Sequence, residues 1–152
     1  MWLHICHMKH AKYPIKADTE HFTFEFFSEG PRGSVKKTVI YSQIEDDLFN
    51  LAFGDWNEKL KRLDDSIRTN NGDRDKVLAT VASTALDFTD KFPHVEILAE
   101  GSSPARTRLY QMGIATHLEE ICENFVIQGY RNKEWEHFQR GRNYEAFLIK
   151  RK

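Results

Sequence analysis

Val77, Val81, Ala85, Phe88 and Phe92 recur at every third or fourth position, with Leu78, Ala82 and Thr89 beside them. On a helix these residues merge into one broad apolar stripe. A stripe of that width needs a flat apolar surface to lie on, and the preceding residues supply one. Phe22, Phe24 and Phe26 alternate with Thr23, Glu25 and Phe27, the period of a half-buried strand. "SEGPRGS" punctuates a turn with Gly30, Pro31 and Gly33, and the run from Val35 to Tyr41 reads as the returning strand. In "DLFNLAFGDWN", Leu48, Asn50 and Ala52 alternate with Phe49, Leu51 and Phe53, which predicts a third strand. "KLKRLDDSIRTN" reads as a fourth, with Leu60, Leu63 and Ile67 as its apolar positions, reached through a hairpin turn in "FGDWNEKLKRLDD".

The stripe predicts a helix over Asp75–Phe92, with Asp73 or Asp75 as its cap and Pro93 after its end. "HVEILAEG" predicts a central strand. "SSPARTRLYQMG" predicts a second helix, with Ser103 as N-cap, Pro104 at the first helical position and Gly113 as the stop. Thr116 and Glu119 form the pattern of a capping box, and "FVIQGY" and "NYEAFLIKR" read as closing strands. The order β-β-β-β-α-β-α-(α)-β-β is that of an α+β fold, a mixed, mainly antiparallel sheet with two main helices. No repeat, linker or low-complexity segment interrupts it, so residues 1–152 read as a single domain.

The chain is 40% hydrophobic and 30% charged, which excludes a disordered chain. No apolar run approaches a membrane span, and His4, His7 and His10 break the apolar start that a signal peptide would need. A cytoplasmic protein is the expectation. Residues 1–7 read as dispensable, with Met8 a more ordinary start than Met1. His4, Cys6, His7 and His10 are ligands that zinc accepts, but chance histidines in a frayed terminus are the simpler reading, and no metal site is expected. Cys6 and Cys122 read as free thiols. Net charge is −1, yet residues 1–16 carry +3 and residues 130–152 carry +4, which leaves −8 on the middle. Basic ends suit a polyanion, or the acidic body itself.

The segment "NNGDRDKVLATVA" reads in two ways. Asn, Gly and Asp are turn and cap formers for backbone reasons alone. A glycine loop that opens a helix is also an anion site, because the first-turn N–H groups lack intrahelical partners. The capping reading fits the composition better, since Asp73 and Asp75 repel phosphate unless they turn away.

"NNGDRDKVLATVA", "GSSPARTRLYQMGI" and the closing "GRNYEAFLIKRK" resemble an uncharacterised family of small bacterial proteins, a domain of unknown function, from about "YPI" onward. Element order and two segments are also similar to the GCN5-related N-acetyltransferases, trimmed at the front. In that family a meander leads to a loop of pattern Q/R-x-x-G-x-G/A, whose N–H groups bind the coenzyme A pyrophosphate. A strand and an "N-x-x-A-x-x-L-Y-x-x-x-G-F" helix follow, and its Tyr protonates the leaving thiolate. The resemblance implies an acyl transfer from acetyl-CoA to an amine, with Gly72, Asp73, Arg74 and Lys76 at the phosphate end and Tyr110 as the acid. The departures are specific. Gly72 is the loop's one glycine, Ser103 stands for Asn, and Ala105 and Gly113 each fall one place early. The region before the meander lacks room for the two helices that usually shape the acceptor site. Glu25 and Asp47 are candidate bases, with nothing to choose between them.

Other residues suggest other chemistry. Ser102, Ser103, Arg106 and Arg108 near a helix start could hold a phosphate, a carboxylate or a partner. Positive side chains there oppose the helix dipole, which gives a bound anion a reason to be present. In "GYRNKEWEHFQRGRNYEAF", Tyr130, Trp135, Phe138 and Tyr144 interleave with Arg131, Lys133, Arg140 and Arg142, a pattern suited to single-stranded RNA or to a loop packed on the sheet. Glu134 and Glu136 dilute the patch. His117 and His137 could cleave RNA by acid–base catalysis or be ordinary surface histidines. The Ser-rich "GSS" lacks the context of a nucleophile elbow. The expected function is therefore a divergent or degenerate N-acyltransferase-like protein. The alternatives are a non-catalytic module that binds a small partner protein, as in a two-gene regulatory or defence pair of toxin–antitoxin type, and an RNA-binding protein.

Overall fold

A computed structural model describes residues 11–64 and 71–152. The strands are β1 (Lys16–Ala17), β2 (Thr23–Gly30), β3 (Gly33–Glu45), β4 (Leu48–Asn57), β5 (Arg62–Asp64), β6 (Glu96–Ala99), β7 (Phe125–Arg131), β8 (Glu134–His137) and β9 (Ala146–Arg151). The helices are α1 (Arg74–Lys91), α2 (Pro104–Thr116) and α3 (Leu118–Ile121). The strands form one nine-stranded sheet in the order β1-β2-β3-β4-β6-β9-β7-β8, with β5 paired to β4 off that path. β4 and β6 run parallel, and the other described pairs are antiparallel. The fold is α+β, with a mixed sheet and two main helices.

Register converts the alternating sequence into one apolar face. Phe24, Val39 and Phe53 stand opposite one another across β2, β3 and β4. Phe49, Ile97, Ile149 and Ile127 continue the same face across β4, β6, β9 and β7. All of these are buried, whereas the intervening Phe27 and Val126 are exposed. The helices cover the apolar face. Phe88 of α1 lies with its ring centroid 4.1 Å from Tyr41, nearly parallel to it, and meets Phe49 edge-on at 5.3 Å. The Tyr41 hydroxyl shares a 2.8 Å hydrogen bond with Thr84 Oγ1, so the same ring docks α1 by both its face and its polar end. One buried ion pair, Lys37 with Asp55, sits on this face beyond Phe26 and Phe53. Each partner compensates the other's desolvation.

The structure corrects several details of the sequence reading. The fourth strand shrinks to Arg62–Asp64, and Ile67 lies outside the described residues. Gly113 does not stop α2, which continues to Thr116. A side chain at Gly113 would press on Leu78 of α1 at 3.2 Å, so this glycine permits close helix approach. Thr116 does not cap α3, whose N-cap residue is His117 without a side-chain bond. The basic segment after β7 contains β8, which hairpins back on β7 from Glu134 to His137. β1 is also an addition.

Phe88→Ala removes the ring on which Phe22, Tyr41, Phe49 and Phe92 converge. A loss of roughly 3–5 kcal/mol is expected in urea unfolding. A loss below about 1 kcal/mol would mean that α1 is seated by something other than this cluster.

Candidate functional site

β4 and β6 pair only from Leu48–Glu96 to Leu51–Ala99. Along that edge β4 then has no strand partner until Asp55 meets Asp64 of β5, while its other edge stays paired with β3. Both main helices begin beyond the carboxyl end of this parallel pair, where chain reversal leaves crevices in sheets of this kind. Arg106 of α2 fills the gap along the edge of β4. Its Nη2 donates to the Phe53 carbonyl at 2.5 Å, and its guanidinium lies 4.9 Å from the centre of the Phe53 ring. The side chain thus takes the place of a missing ladder bond. Arg106 is buried, and its Nε has no hydrogen-bond partner among the described residues. Arg108 stands roughly 200° further round the helix. It is exposed and forms no hydrogen bond or ion pair with a described residue. The two arginines therefore do not converge on one ligand.

The start of α1 is built differently from the expectation. Asp73 occupies the N-cap position, but neither it nor Asp75 bonds the helix as a side-chain cap. The Asp73 carboxylate instead accepts from Tyr13 Oη and Ser28 Oγ, each at 2.5 Å. Burial, and then the hydrogen bond to Asp73, push the Tyr13 phenol above its usual range. Asn71 secures the loop from below. Its amide nitrogen donates to Gly33 O at 2.9 Å, and its oxygen accepts from Arg32 N at 2.7 Å. Gly72 holds φ +74°, a left-handed conformation suited to glycine. Lys76 Nζ lies 4.1 Å from the centre of the Tyr13 ring. Arg74 is exposed, with Asp75 3.8 Å away. Arg74 and Arg108 face a groove of about 440 Å3 whose wall is Pro104, Ala105, Leu109 and Met112. The first turn of α1 thus has no side-chain cap, a turned-away carboxylate and basic residues nearby.

Tyr110 is buried at 7% exposure, with its ring 6.4 Å from that of Phe53. It lines an apolar cavity of about 70 Å3 between α1, α2 and the sheet. Neither candidate base lies near it. Glu25 pairs with Lys36 at 3.0 Å on the uncovered sheet face. Asp47 is in the β3–β4 turn, at the opposite end of β4 from the start of α1. His117 is buried and donates from Nε2 to Asp75 O at 3.2 Å, whereas His137 is exposed on β8.

Ser103 caps α2 as expected, its Oγ accepting from Arg106 N at 3.2 Å. Ser102 and Arg108 border a second cavity, of about 370 Å3, between α2 and the loop before β9. That loop is clamped. Gln111 Nε2 donates to Arg142 O at 2.6 Å, and its Oε1 accepts from Tyr144 N at 3.0 Å. Arg140 Nη2 donates to Ala115 O at 2.8 Å, and Arg142 pairs with Glu136 at 2.9 Å. The aromatics of this region divide. Tyr130 and Trp135 meet on the uncovered face, whereas Phe138 and Tyr144 pack on Phe147 in the core. Sequence reasoning missed Gln111, Glu100 and Glu145, and no motif marks them.

Residues 9–152 match the model of DUF6934, a family of unknown function. The chain belongs to this family. No curated protein and no solved structure matches it. Among the described residues of the DUF6934 chain, no His, Cys, Asp and Glu side chains gather as a metal site. Cys122 is a free thiol, and Cys6, His4, His7 and His10 lie outside the described residues. No described helix is long and apolar enough to cross a membrane.

The clamped loop carries a pH signature. Tyr144 Oη donates to Glu136 Oε2 at 2.7 Å. That bond, and then Arg142, hold the Glu136 carboxyl below its usual range. Burial, and then Glu136, push the Tyr144 phenol up. The Glu136 contribution to stability is present above about pH 4.3 and is lost as pH falls through its lower folded value. The Tyr144 contribution is complete below about pH 10 and is lost as pH rises through its raised folded value. Tyr144→Phe should lower stability at neutral pH and flatten the stability profile at both ends. Parallel profiles for the two proteins in urea unfolding would sink this account.

Proposed function

We propose that this DUF6934 chain binds a phosphate-bearing acyl carrier of the coenzyme A type and is N-acyltransferase-like. The observation that carries the reading is the Asp73 carboxylate, drawn off the start of α1 by Tyr13 and Ser28. A helix start normally attracts such a carboxylate; here Asp73 is engaged elsewhere and the first-turn Asp75 lies 3.8 Å from Arg74, so the first-turn N–H groups carry no side-chain cap. Gly72, Arg74 and Lys76 surround that turn, and the adjoining groove adds an apolar wall for the rest of the carrier. The order of meander, loop, helix, parallel strand and second helix supports the same reading, being similar to that of the N-acetyltransferases. In this proposal Tyr110 serves as the acid only after Arg106 swings off Phe53, because the phenol is buried against that ring. With Arg106 in place the chain is a carrier-binding protein rather than a working enzyme.

Thermal unfolding with acetyl-CoA tests the proposal, since a ligand of the native state raises the melting temperature. A dose-dependent rise is expected, reduced in Arg74→Glu. It should also fall in the double variant Tyr13→Phe, Ser28→Ala, which frees Asp73 to turn toward the helix and compete with phosphate. No rise at millimolar acetyl-CoA would overturn the reading.

One observation favours a second reading, a non-catalytic module for a small partner protein. Val126 of β7 and Trp135 of β8, at 38% and 41% exposure, stand with Tyr130 on adjoining strands of the sheet face that no described helix covers. Exposed apolar area on a folded surface is a common mark of partner binding.

A further inference from the structure

The cavity between α2 and the loop before β9 adjoins the carrier groove, with Pro104 and Arg108 on the border between them. Its walls are already fixed by Gln111, Arg140 and the Tyr144–Glu136 hydrogen bond. Its charged lining is not fixed. Glu100, Arg108 and Glu145 all border it, together with Ser102 and Asn143. None of these five side chains forms a hydrogen bond or ion pair with a described residue. The contrast lies within one loop. Arg140, Arg142 and Tyr144 are engaged, whereas the side chains of Asn143 and Glu145, which border the cavity, are idle.

Topology brings two carboxylates to one end of the sheet. Ala99 of β6 pairs with Phe147 of β9. Glu100 leaves β6 one residue later, and Glu145 enters β9 two residues earlier, so both project from the same end of adjacent antiparallel strands. Two carboxylates that border one cavity favour a cationic group within it. Arg108 faces the same space without reaching either carboxylate. The cavity therefore presents negative and positive groups separated by room for a guest. A phosphate dianion meets two carboxylates there, and a simple polyamine meets a guanidinium. A guest carrying one charge of each sign satisfies both. The volume of about 370 Å3 suits a small molecule.

We propose that this cavity binds a small zwitterion of the free amino-acid type, its carboxylate held by Arg108 and Ser102 and its ammonium by Glu100 and Glu145. The proposal goes beyond the carrier reading and does not depend on it.

The test is calorimetric titration and thermal unfolding of the full chain with each standard L-amino acid at millimolar concentration, without any coenzyme A thioester. At least one should bind and raise the melting temperature. Its N-acetyl derivative lacks the ammonium, and its amide lacks the carboxylate. Each should bind at least about tenfold more weakly, the loss expected for one charge-assisted hydrogen bond. Arg108→Gln and Glu145→Gln alter exposed, unengaged side chains, so each should keep the parent melting temperature without ligand and lose binding by a similar factor. Arg74→Glu should leave this titration unchanged, which separates its failure from failure of the carrier reading. Absence of binding by every amino acid would overturn the proposal, as would equal binding of the blocked derivatives or unaltered binding by Arg108→Gln.

Discussion

The brief parallel pairing of β4 with β6 shapes everything at the candidate site. It lasts from Leu48–Glu96 to Leu51–Ala99, and then the strands part. A parallel partner must arrive by crossover, so α1 has to traverse the sheet between the two strands. The same parting exposes the edge of β4 at Phe53, which Arg106 then covers. Had β6 continued alongside β4, its own N–H groups could have bonded that carbonyl and no arginine would be required. The interior location of Arg106, the burial of Tyr110 and the starting points of both helices descend from this one short ladder.

Electrostatics at the two helix starts follow opposite rules. α2 is closed by its own Ser103, and α1 is left without a side-chain cap because Tyr13 and Ser28 engage Asp73 first. The cost of an unmade cap is about 1 kcal/mol. Two charge-assisted hydrogen bonds to the same carboxylate offset it comfortably. The geometry is therefore stable without a side-chain cap.

Much of the fold was legible because burial follows simple periods. The alternation at Phe22–Phe27 and Leu48–Phe53 needed one covered sheet face, and the stripe from Val77 to Phe92 needed a helix to cover it. What failed were residues whose roles depend on distant partners. Gly113 looked like a stop, but its missing side chain accommodates Leu78. Asp73 looked like a cap, but Tyr13 lies sixty residues away in sequence and claims it. Ser103 was read correctly because its partner, Arg106 N, is local. The site was legible in the same proportion. Ser102, Arg74 and Arg108 border cavities, whereas Arg106 serves the edge of β4. Glu100 and Glu145 carried no signal, since their proximity arises only from the β6–β9 register.

Asn71 gives the molecule a built-in reporter. One amide joins the β2–β3 hairpin tip, through Arg32 N and Gly33 O, to Ser28, whose hydroxyl also holds Asp73. The hairpin tip and the start of α1 are thus linked by a few rigid polar contacts rather than by a compressible apolar layer. Asp73 is joined through Ser28 and Asn71 to the Arg32 amide by consecutive hydrogen bonds. That single backbone proton, on a surface turn, is where an event at the helix start becomes readable by amide exchange.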